Sequence, residues 1–191
     1  IELLQGPIAD PALRTQLAAL REMITGTANG VRRISLDLRP PVLEERGLLP
    51  ALRETLVRFG ADQDVDTEFA GRVDVPLPED LETLAYRVVQ EALSNAAKHA
   101  QATQVMVMVQ ANDSHLRVEV EDDGRGFDAG LARDFLREGR VGLASMRERV
   151  ELASGSLVVR SSPGRGTSIV ATLPLDELAG ARGGTSLHEA S

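Results

Sequence analysis

Four polar side chains are spaced so that one face of a helix can hold a metal ion and a polyphosphate. Residues 88–100 read VVQEALSNAAKHA, and the reactive positions are Glu91, Asn95, Lys98 and His99. Because an α-helix has about 3.6 residues per turn, these side chains fall within roughly one third of its circumference. A carboxylate and an amide supply oxygen ligands for a hard divalent cation, and an ammonium and an imidazole attract phosphate oxygens. The spacing therefore predicts chemistry on a metal-bound polyphosphate.

A second polar element follows further along the chain, where residues 122–127 read DDGRGF. Asp122 comes directly after a predicted strand and supplies a hydrogen-bond acceptor at a defined position. Gly124 and Gly126 permit a tight turn that other residues would resist. The chain has no lysine-containing phosphate loop of the Walker type. Together the two elements predict a nucleotide site that is built without such a loop.

Composition excludes several classes of protein. A net charge of −8 argues against a general nucleic-acid binder, because neutralising phosphates needs a basic surface. The absence of cysteine excludes disulfides, thiol catalysis and zinc–thiolate sites, and it fits a reducing compartment. No apolar run reaches the roughly 18 residues of a transmembrane helix. We therefore expect a cytoplasmic protein without a membrane segment, although a longer parent protein can be anchored in a membrane.

Residues 12–38 are predicted to form one long helix with a heptad seam, which a proline pair after Arg39 ends. The seam consists of Leu13, Leu17, Leu20, Ile24, Thr27, Val31, Ile34 and Leu38. With a helical stub at residues 1–5, this helix forms an αα-hairpin, and we expect two copies to complete a four-helix bundle in a homodimer. The alternative is a helix that packs on its own domain. Residues 1–44 are thus assigned to a partial dimerisation region.

Residues 45–175 show the mixture of helices and strands that is typical of one α+β domain. Helices are expected at 48–60 with Gly60 as the end, from Glu79 through the polar face described above, and from Gly142 to Ala153. Strands are expected at 65–69, 104–111, 116–121, 156–161 and 166–174. Loops are expected at 71–78 and at 128–141, the second of them mobile. The small, polar segment 176–191 is predicted to be a disordered tail.

The order of these motifs resembles that of the Bergerat-fold ATPases, a superfamily that includes gyrase, MutL and the sensor histidine kinases. Residues 91–99 are similar to the N box, 122–126 to the G1 box, 139–143 to the G2 box and 166–167 to the terminal Gly-Thr element. Each box alone is a weak signal, whereas all four in this order across residues 45–174 are a strong one.

Further stretches narrow the resemblance to the nitrate-sensor and DesK-like branch of sensor histidine kinases. They are NAAKHA at 95–100, GLASMRERV at 142–150, and residues 36–48, which resemble the end of the second dimerisation helix in that branch. The resemblance implies a two-layer α/β sandwich, with helices on one face of a mixed, mostly antiparallel sheet, preceded by the helical hairpin. It also implies that ATP with Mg²⁺ donates its γ-phosphoryl group to a histidine on the dimerisation helix, which passes it to a response regulator.

The resemblance also implies which residues bind the base of ATP. Asp122 accepts a hydrogen bond from the adenine amino group, and Thr167 supports that contact, directly or through water. Gly124 and Gly126 allow the backbone to approach the base and to turn into a lid over residues 128–141. Leu143 belongs to the same ATP-binding set.

The phosphates and the metal ion are assigned to the helix face by the same resemblance. Asn95 binds Mg²⁺ through its amide oxygen, and Glu91 holds the metal, directly or through water, or polarises the γ-phosphate. Lys98 and His99 contact phosphate oxygens, and Gly142 opens a helix whose N-terminal N–H groups can face phosphate. Glu91 and Lys98 are the predicted catalytic residues.

No phosphoacceptor is predicted within this chain. Its three histidines are His99, His115 and His188, and none lies on the predicted hairpin. Because the chain starts at Ile1 rather than at methionine, we expect a piece of a longer protein whose acceptor precedes residue 1. The chain is therefore expected to bind ATP and Mg²⁺ without phosphorylating itself.

Three other functions remain open. An ATP-hydrolysing clamp of the gyrase or MutL sort uses the N-box glutamate as a general base, although Lys98-His99 and the short lid argue against it. An anti-sigma-factor serine kinase has a similar fold but no long heptad hairpin, and a dimeric scaffold with a degenerate pocket is the non-enzymatic alternative. Single residues have structural alternatives too: Asp122 as a turn former, His99 as a helix C-terminal residue, Thr167 as an ordinary strand residue.

Overall fold

The structure is a computed structural model, and it describes residues 39–128 and 141–175. The chain divides into two units after residue 39, so nearly all of the described residues belong to the second unit. Four predicted segments lie wholly or mostly outside the described residues: the helical stub 1–5, the heptad helix 12–38, the loop 128–141 and the tail 176–191. The predicted dimerisation through the heptad helix therefore stays a prediction.

Five strands of the described residues form one sheet in the order β1-β2-β3-β5-β4. They are β1 (Asp66–Val73), β2 (Gln104–Ala111), β3 (His115–Asp122), β4 (Ser156–Ser161) and β5 (Thr167–Pro174). β1 runs parallel to β2, and the other three neighbouring pairs are antiparallel. The sheet is thus mixed and mostly antiparallel, as the sequence predicted.

One face of the sheet carries the core, because apolar residues alternate along the strands. Side chains in a strand point alternately to opposite faces, so a period of two places them on one side. The buried alternating residues are Val105, Val107 and Val109 in β2, Leu116, Val118 and Val120 in β3, and Ile169, Ala171 and Leu173 in β5. They belong to one cluster with the buried residues of the helices.

In the described part of the chain, four α-helices supply the second layer: α1 (Pro41–Arg46), α2 (Leu48–Gln63), α3 (Glu79–Asn95) and α4 (Val141–Leu152). α3 connects the parallel strands β1 and β2, a connection that needs a crossover of this length. It packs on β3 and β5, while α4 packs on α3, β4 and β5. The result is a two-layer sandwich with its helices on one face of the sheet. None of the helices in the described part of the chain has the length and apolar character needed to cross a membrane.

The prediction that Gly60 ends a helix is wrong. α2 continues to Gln63, and Asp64 ends it in a left-handed conformation with φ 55°, its N–H bonded to the Gly60 carbonyl. A Cβ at Gly60 would lie 2.9 Å from the Val65 carbonyl oxygen and 3.0 Å from Thr67. Gly60 is therefore a point of close packing inside the helix, a role that cannot be distinguished from a helix stop in the sequence.

Two further differences from the prediction are larger than one residue. β1 extends to Val73, into the predicted loop, because it pairs with β2 along its whole length. A short helix, α1, follows Pro40, where the sequence suggested only a break. Proline is tolerated in the first helical turn, and burial of Leu43 at 1% exposure holds this helix against the core.

The end of α3 winds more loosely than an α-helix. Residues 96–100 form a π-helical turn, and Gln101 ends it in a left-handed conformation with φ 53°. A π-helix has more residues per turn than an α-helix, so each residue rotates less around the axis. This turn lies at the end of the predicted polar face. It therefore changes which side chains of that face point in the same direction.

Candidate functional site

A cavity of about 240 Å³ lies between the end of α3, the adjoining ends of β3 and β5, and the start of α4. The predicted site residues in its wall are Asn95, His99, Asp122, Gly126, Gly142, Leu143 and Thr167. Residues from four separate segments of the chain thus meet at one place. Within the described part of the chain, no group of three or more acidic or histidine side chains is arranged to hold a metal ion by itself.

Three predicted site residues do not line this cavity: Glu91, Lys98 and Gly124. The π-helical turn accounts for Lys98, since a smaller rotation per residue leaves it off the face that Asn95 and His99 share. Lys98 is exposed, and its roles toward phosphate and in catalysis stay predictions.

Asp122 is held at the end of β3 with its carboxylate at the cavity. Burial raises its pKa above the ordinary value for aspartate, and the neighbouring charge of Asp123 acts in the same direction. Two neighbours oppose this shift: the Gly124 N–H donates to Oδ1 at 3.0 Å, and the adjacent Thr167 also acts to lower the pKa. The Gly124 N–H orients the carboxylate, which keeps lone pairs for a ligand.

Asp123 has a different role from its neighbour. Its Oδ1 accepts the backbone N–H groups of Thr103 at 2.7 Å and Gln104 at 2.9 Å, and the Thr103 hydroxyl donates to Oδ2. These bonds, the Thr103 hydroxyl first, lower the pKa of Asp123. Asp123 therefore fastens the segment between α3 and β2, and only Asp122 of the pair faces the cavity.

Asn95 brings an amide group to the cavity wall. Its Nδ2 is buried and has no hydrogen-bond partner among the described residues. Leaving a buried polar group unpaired costs about 1–3 kcal/mol. An amide in this state fits a polar ligand that would bond it, and its oxygen is of the type that Mg²⁺ takes.

Three glycines allow the backbone segments around the cavity to touch. A Cβ at Gly124 would lie 2.5 Å from the Ala100 carbonyl oxygen, and the Arg125 N–H bonds that same oxygen at 2.8 Å. Gly126 (φ 58°) and Gly166 (φ 66°) adopt left-handed conformations in which any Cβ would meet neighbouring backbone. These glycines therefore allow three backbone segments to approach one another closely. The segments are the turn after β3, the π-helical turn and the β4–β5 connection.

Glu91 lies against α4 rather than at the cavity. A Cβ at Gly142 would collide with Glu91 Oε1, so the carboxylate occupies the space that the glycine leaves. Burial lowers the pKa of the Arg149 guanidinium, the charge of Glu91 acts to raise it, and Arg87 acts to lower it. Glu91 therefore shares an electrostatic environment with Arg149 and Arg87 at the α3–α4 interface, and its metal and catalytic roles stay predictions.

The domain that contains this cavity matches a known protein family. Residues 80–177, slightly more than half of the chain, match the family described as histidine kinase-, DNA gyrase B- and HSP90-like ATPases. The chain belongs to this family. The ATPase domain contains the cavity and every predicted site residue.

Sensor histidine kinases are among the relatives of this ATPase domain. The chain is 36% identical over 168 residues to the signal transduction histidine-protein kinase/phosphatase DegS of Brevibacillus brevis, covering 87% of this chain and 42% of that protein. It is 34% identical over 167 residues to the sensor histidine kinase LiaS of Bacillus subtilis, covering 87% of this chain and 45% of that protein. The predicted resemblance to sensor histidine kinases is confirmed, and the chain spans less than half the length of these two relatives.

A solved structure supports the fold of the ATPase domain. The histidine kinase domain of the Erythrobacter litoralis EL346 blue-light activated histidine kinase is similar with a TM-score of 0.57 and 25% sequence identity. The similarity covers 68% of this chain and 62% of that one. The predicted α+β fold class is confirmed.

Several residues in the cavity wall of the ATPase domain were not predicted as site residues. They are Ala92, Ala96, Ala100, Arg125, Phe127 and Ile169. A sequence signal existed for some of them. The alanines recur at the helical spacing of Asn95 and His99, and Arg125 and Phe127 belong to the DDGRGF element itself. Ile169 carried no such signal, because a core residue of a strand looks the same wherever a cavity opens.

Replacing Gly142 with alanine in the ATPase domain is expected to change stability in opposite directions depending on residue 91. With Glu91 present, the new Cβ displaces its carboxylate, and we expect the free energy of unfolding to fall by about 1 kcal/mol. In a Glu91→Ala background the obstacle is gone, and higher helix propensity should stabilise by up to about 1 kcal/mol. Urea unfolding of the four proteins measures the coupling. Equal effects in both backgrounds would show that the Glu91–Gly142 contact does not matter.

Proposed function

We propose that this chain is the ATP-binding part of a sensor histidine kinase. In this proposal ATP binds with Mg²⁺ in the cavity of the ATPase domain, and its γ-phosphoryl group passes to a histidine on a dimerisation helix. The observation that carries the proposal is the joint placement of Asp122 and Asn95. One cavity holds a carboxylate that the Gly124 N–H orients, and a buried amide nitrogen that has no hydrogen-bond partner among the described residues.

Different residues of the cavity would bind different parts of ATP. Asp122 would accept from the adenine amino group, a charge-assisted bond that selects an amino over an oxo substituent. Asn95 would offer its amide oxygen to Mg²⁺, and His99 would contact phosphate oxygens. The first N–H groups of α4 lie beside the cavity at Gly142 and Leu143 and would add positive dipole character. Transfer then depends mainly on positioning and charge neutralisation.

The partners belong to the proposal as well. A homodimer through residues 12–38 would present the acceptor histidine to the ATPase domain, and a response-regulator aspartate would receive the phosphoryl group. The chain spans 42% of the length of DegS and 45% of the length of LiaS. The proposed dimerisation and phosphotransfer to a regulator are therefore proposals for a protein longer than this chain. The cytoplasmic location of the ATPase domain remains a prediction, which is based on the fit between a cysteine-free sequence and a reducing compartment.

Three measurements on this chain test the kinase proposal against its alternatives. They are calorimetric binding of ATP with Mg²⁺, phosphate release, and acid-labile labelling from ATP that carries label in the γ position. We expect binding, slow phosphate release and no stable phosphohistidine on the chain. Sustained phosphate release that Glu91→Gln abolishes would favour the ATPase clamp instead. Absence of nucleotide binding would favour the scaffold, and phosphohistidine on this chain would contradict the prediction that it has no acceptor.

Replacing Asn95 with alanine is expected to remove most of the benefit that Mg²⁺ brings to ATP binding. Because the amide oxygen is the proposed protein ligand, the ratio of ATP affinities with and without Mg²⁺ should fall roughly tenfold, or about 1.4 kcal/mol. Titration calorimetry in excess Mg²⁺ and in excess chelator measures both affinities. Gln101→Ala is a matched control, since this amide side chain follows the π-helical turn and does not line the cavity. An unchanged ratio in Asn95→Ala would exclude Asn95 as a metal ligand.

A further inference from the structure

Asp123 ties the turn after β3 to the short connection between the π-helical turn and β2. Its carboxylate accepts the backbone N–H groups of Thr103 and Gln104 on Oδ1 and the Thr103 hydroxyl on Oδ2. The Asp123 N–H returns a bond to the Gln104 carbonyl at 3.3 Å. Donors on two adjacent residues fix the direction of the connection as well as its distance, because a hydrogen bond weakens steeply when it bends.

The connection is short enough to transmit this hold to the π-helical turn. Only residues 101–103 separate Ala100, the end of that turn, from the start of β2. The turn after β3 also holds Ala100 directly, since the Arg125 N–H donates to the Ala100 carbonyl at 2.8 Å. Asp123 is exposed and does not belong to the core cluster. Its carboxylate therefore acts on the connection rather than on the packing of the core.

The cavity has two halves that this attachment joins. Asp122, at the end of β3, stands on the side proposed for adenine. Asn95 and His99, at the end of α3 and in the π-helical turn, stand on the side proposed for Mg²⁺ and phosphate. Hydrogen bonds form only over a narrow range of distances, about 2.7–3.2 Å for an N–H donor. One ligand can therefore bind both halves well only if their separation matches its length.

We propose that Asp123 is a positioning residue of the nucleotide site, which sets the distance between the π-helical turn and Asp122 so that one nucleotide binds both halves of the cavity. This inference rests on the proposed binding of ATP in the cavity. Asp123 does not line the cavity, so it acts through the connection and not on the ligand. Its removal should leave the base contact in place, because Asp122 keeps the bond from the Gly124 N–H, and should reduce what the phosphates add to binding.

The test compares ADP with adenosine, which share the base and the ribose and differ by the diphosphate. Calorimetry in excess Mg²⁺ measures the affinity for ADP, and displacement of bound ADP measures the affinity for adenosine. We expect Asp123→Ala to lower the ADP-to-adenosine affinity ratio about fivefold to tenfold, the effect of losing roughly one hydrogen bond. The affinity for adenosine should stay close to that of the wild type.

Asp123→Asn separates the hydrogen bonds of Asp123 from its charge. Asparagine lacks the charge, as alanine does, but its amide oxygen can accept the Thr103 and Gln104 N–H groups, and its amide nitrogen can donate to the Thr103 hydroxyl oxygen. Loss of a negative charge favours the anionic ADP in both variants, so only the bonds distinguish them. We expect Asp123→Asn to keep a ratio at or above the wild-type value. Asp113→Ala is the control, because this exposed aspartate lies in the turn at the opposite end of β2 and β3.

Thr103→Val is a second variant, which decides the matter if Asp123→Ala unfolds. It removes one of the bonds to Asp123, keeps the charge, and should lower the ratio about twofold to threefold. A wild-type ratio in Thr103→Val and in any folded Asp123→Ala protein would overturn the inference and show that the β2–β3 ladder alone holds the connection.

Two other results would also overturn the inference. Equal ratios in Asp123→Ala and Asp123→Asn would show that the bonds have no effect on the site. Equal losses of affinity for ADP and adenosine in Asp123→Ala would show a merely structural role. Absence of ADP binding by the wild type would refute the proposed function itself, whereas a wild-type protein that prefers ADP while every variant keeps its ratio would refute only the role of Asp123.

Discussion

Replacing Asp122 with asparagine is expected to weaken ADP binding by about tenfold to a hundredfold. A hydrogen bond to a charged group contributes about 1.5–3 kcal/mol, and asparagine keeps the volume of aspartate while losing its charge. The loss should be smaller for IDP, whose 6-oxo group can accept from the asparagine amide. Titration calorimetry with both nucleotides at neutral pH measures the two affinities. Equal losses for ADP and IDP would contradict contact between Asp122 and position 6 of the purine.

The same variant separates binding from stability. Because the folded-state pKa of Asp122 is raised, the folded protein binds this proton more tightly than the unfolded chain does. The contribution of Asp122 to stability is therefore greatest at low pH and declines as pH rises through the raised pKa. At neutral pH Asp122→Asn should leave the free energy of unfolding unchanged or slightly higher. A large destabilisation at neutral pH would mean that Asp122 has a mainly structural role.

Adenine binding should have the opposite dependence on pH. The ionised carboxylate accepts from the amino group more strongly than the protonated form, so ADP affinity should fall as pH decreases through the pKa of Asp122. Since that pKa is raised, the fall should begin at a higher pH than an ordinary aspartate would show. Asp122→Asn provides the baseline, because protonation of the nucleotide itself affects both proteins. Parallel pH profiles for the two proteins would exclude Asp122 as the titrating group.

Replacing Gly166 with alanine is expected to have one of the largest effects on stability among the glycine substitutions near the cavity. The residue has φ 66°, and its new Cβ would collide with the Asp122 carbonyl oxygen. Left-handed strain costs about 1–2 kcal/mol, and the collision is with backbone that cannot rotate away. We expect the free energy of unfolding to fall by about 3 kcal/mol or more. Thermal unfolding or urea denaturation measures this loss.

Gly164 provides a matched control in the same turn. Its φ of 75° imposes a similar strain, but no atom lies within 4 Å of a Cβ built there. Gly164→Ala should therefore cost about 1–2 kcal/mol from strain alone. The Gly166 variant should also bind ADP more weakly, because Asp122 and Thr167 adjoin the collision, whereas the Gly164 variant should not. Similar losses of stability in both variants would show that left-handed strain alone explains the effect.

Much of the fold was predictable because its signals are local. The alternation of apolar residues in β2 and β3 determines which side chains face the helices. This alternation can be recognised in the sequence, because a strand has a period of two wherever it lies in a sheet. Gly60 and the residues after Gly71 show where such reasoning fails. A glycine that permits close packing looks like a helix stop, and a strand that continues because its neighbour pairs with it looks like a loop.

The candidate site was predictable to a similar extent. The motifs predict Asn95, His99, Asp122 and Thr167 as site residues, and the structure brings them to one cavity. The π-helical turn was not predictable, because helical spacing assumes uniform winding and the looser turn removes Lys98 from the shared face.

The sequence by itself determined the types of side chain, their order along the chain and the periodicity that directs each to one face. These properties specify a carboxylate, an amide and an imidazole suited to a nucleotide, because spacing within one element is a local quantity. Only the tertiary structure decided that Asp122 faces the cavity while Asp123 fastens a loop, and that Glu91 lies in the space left by Gly142. These outcomes depend on contacts between segments that are distant in the chain.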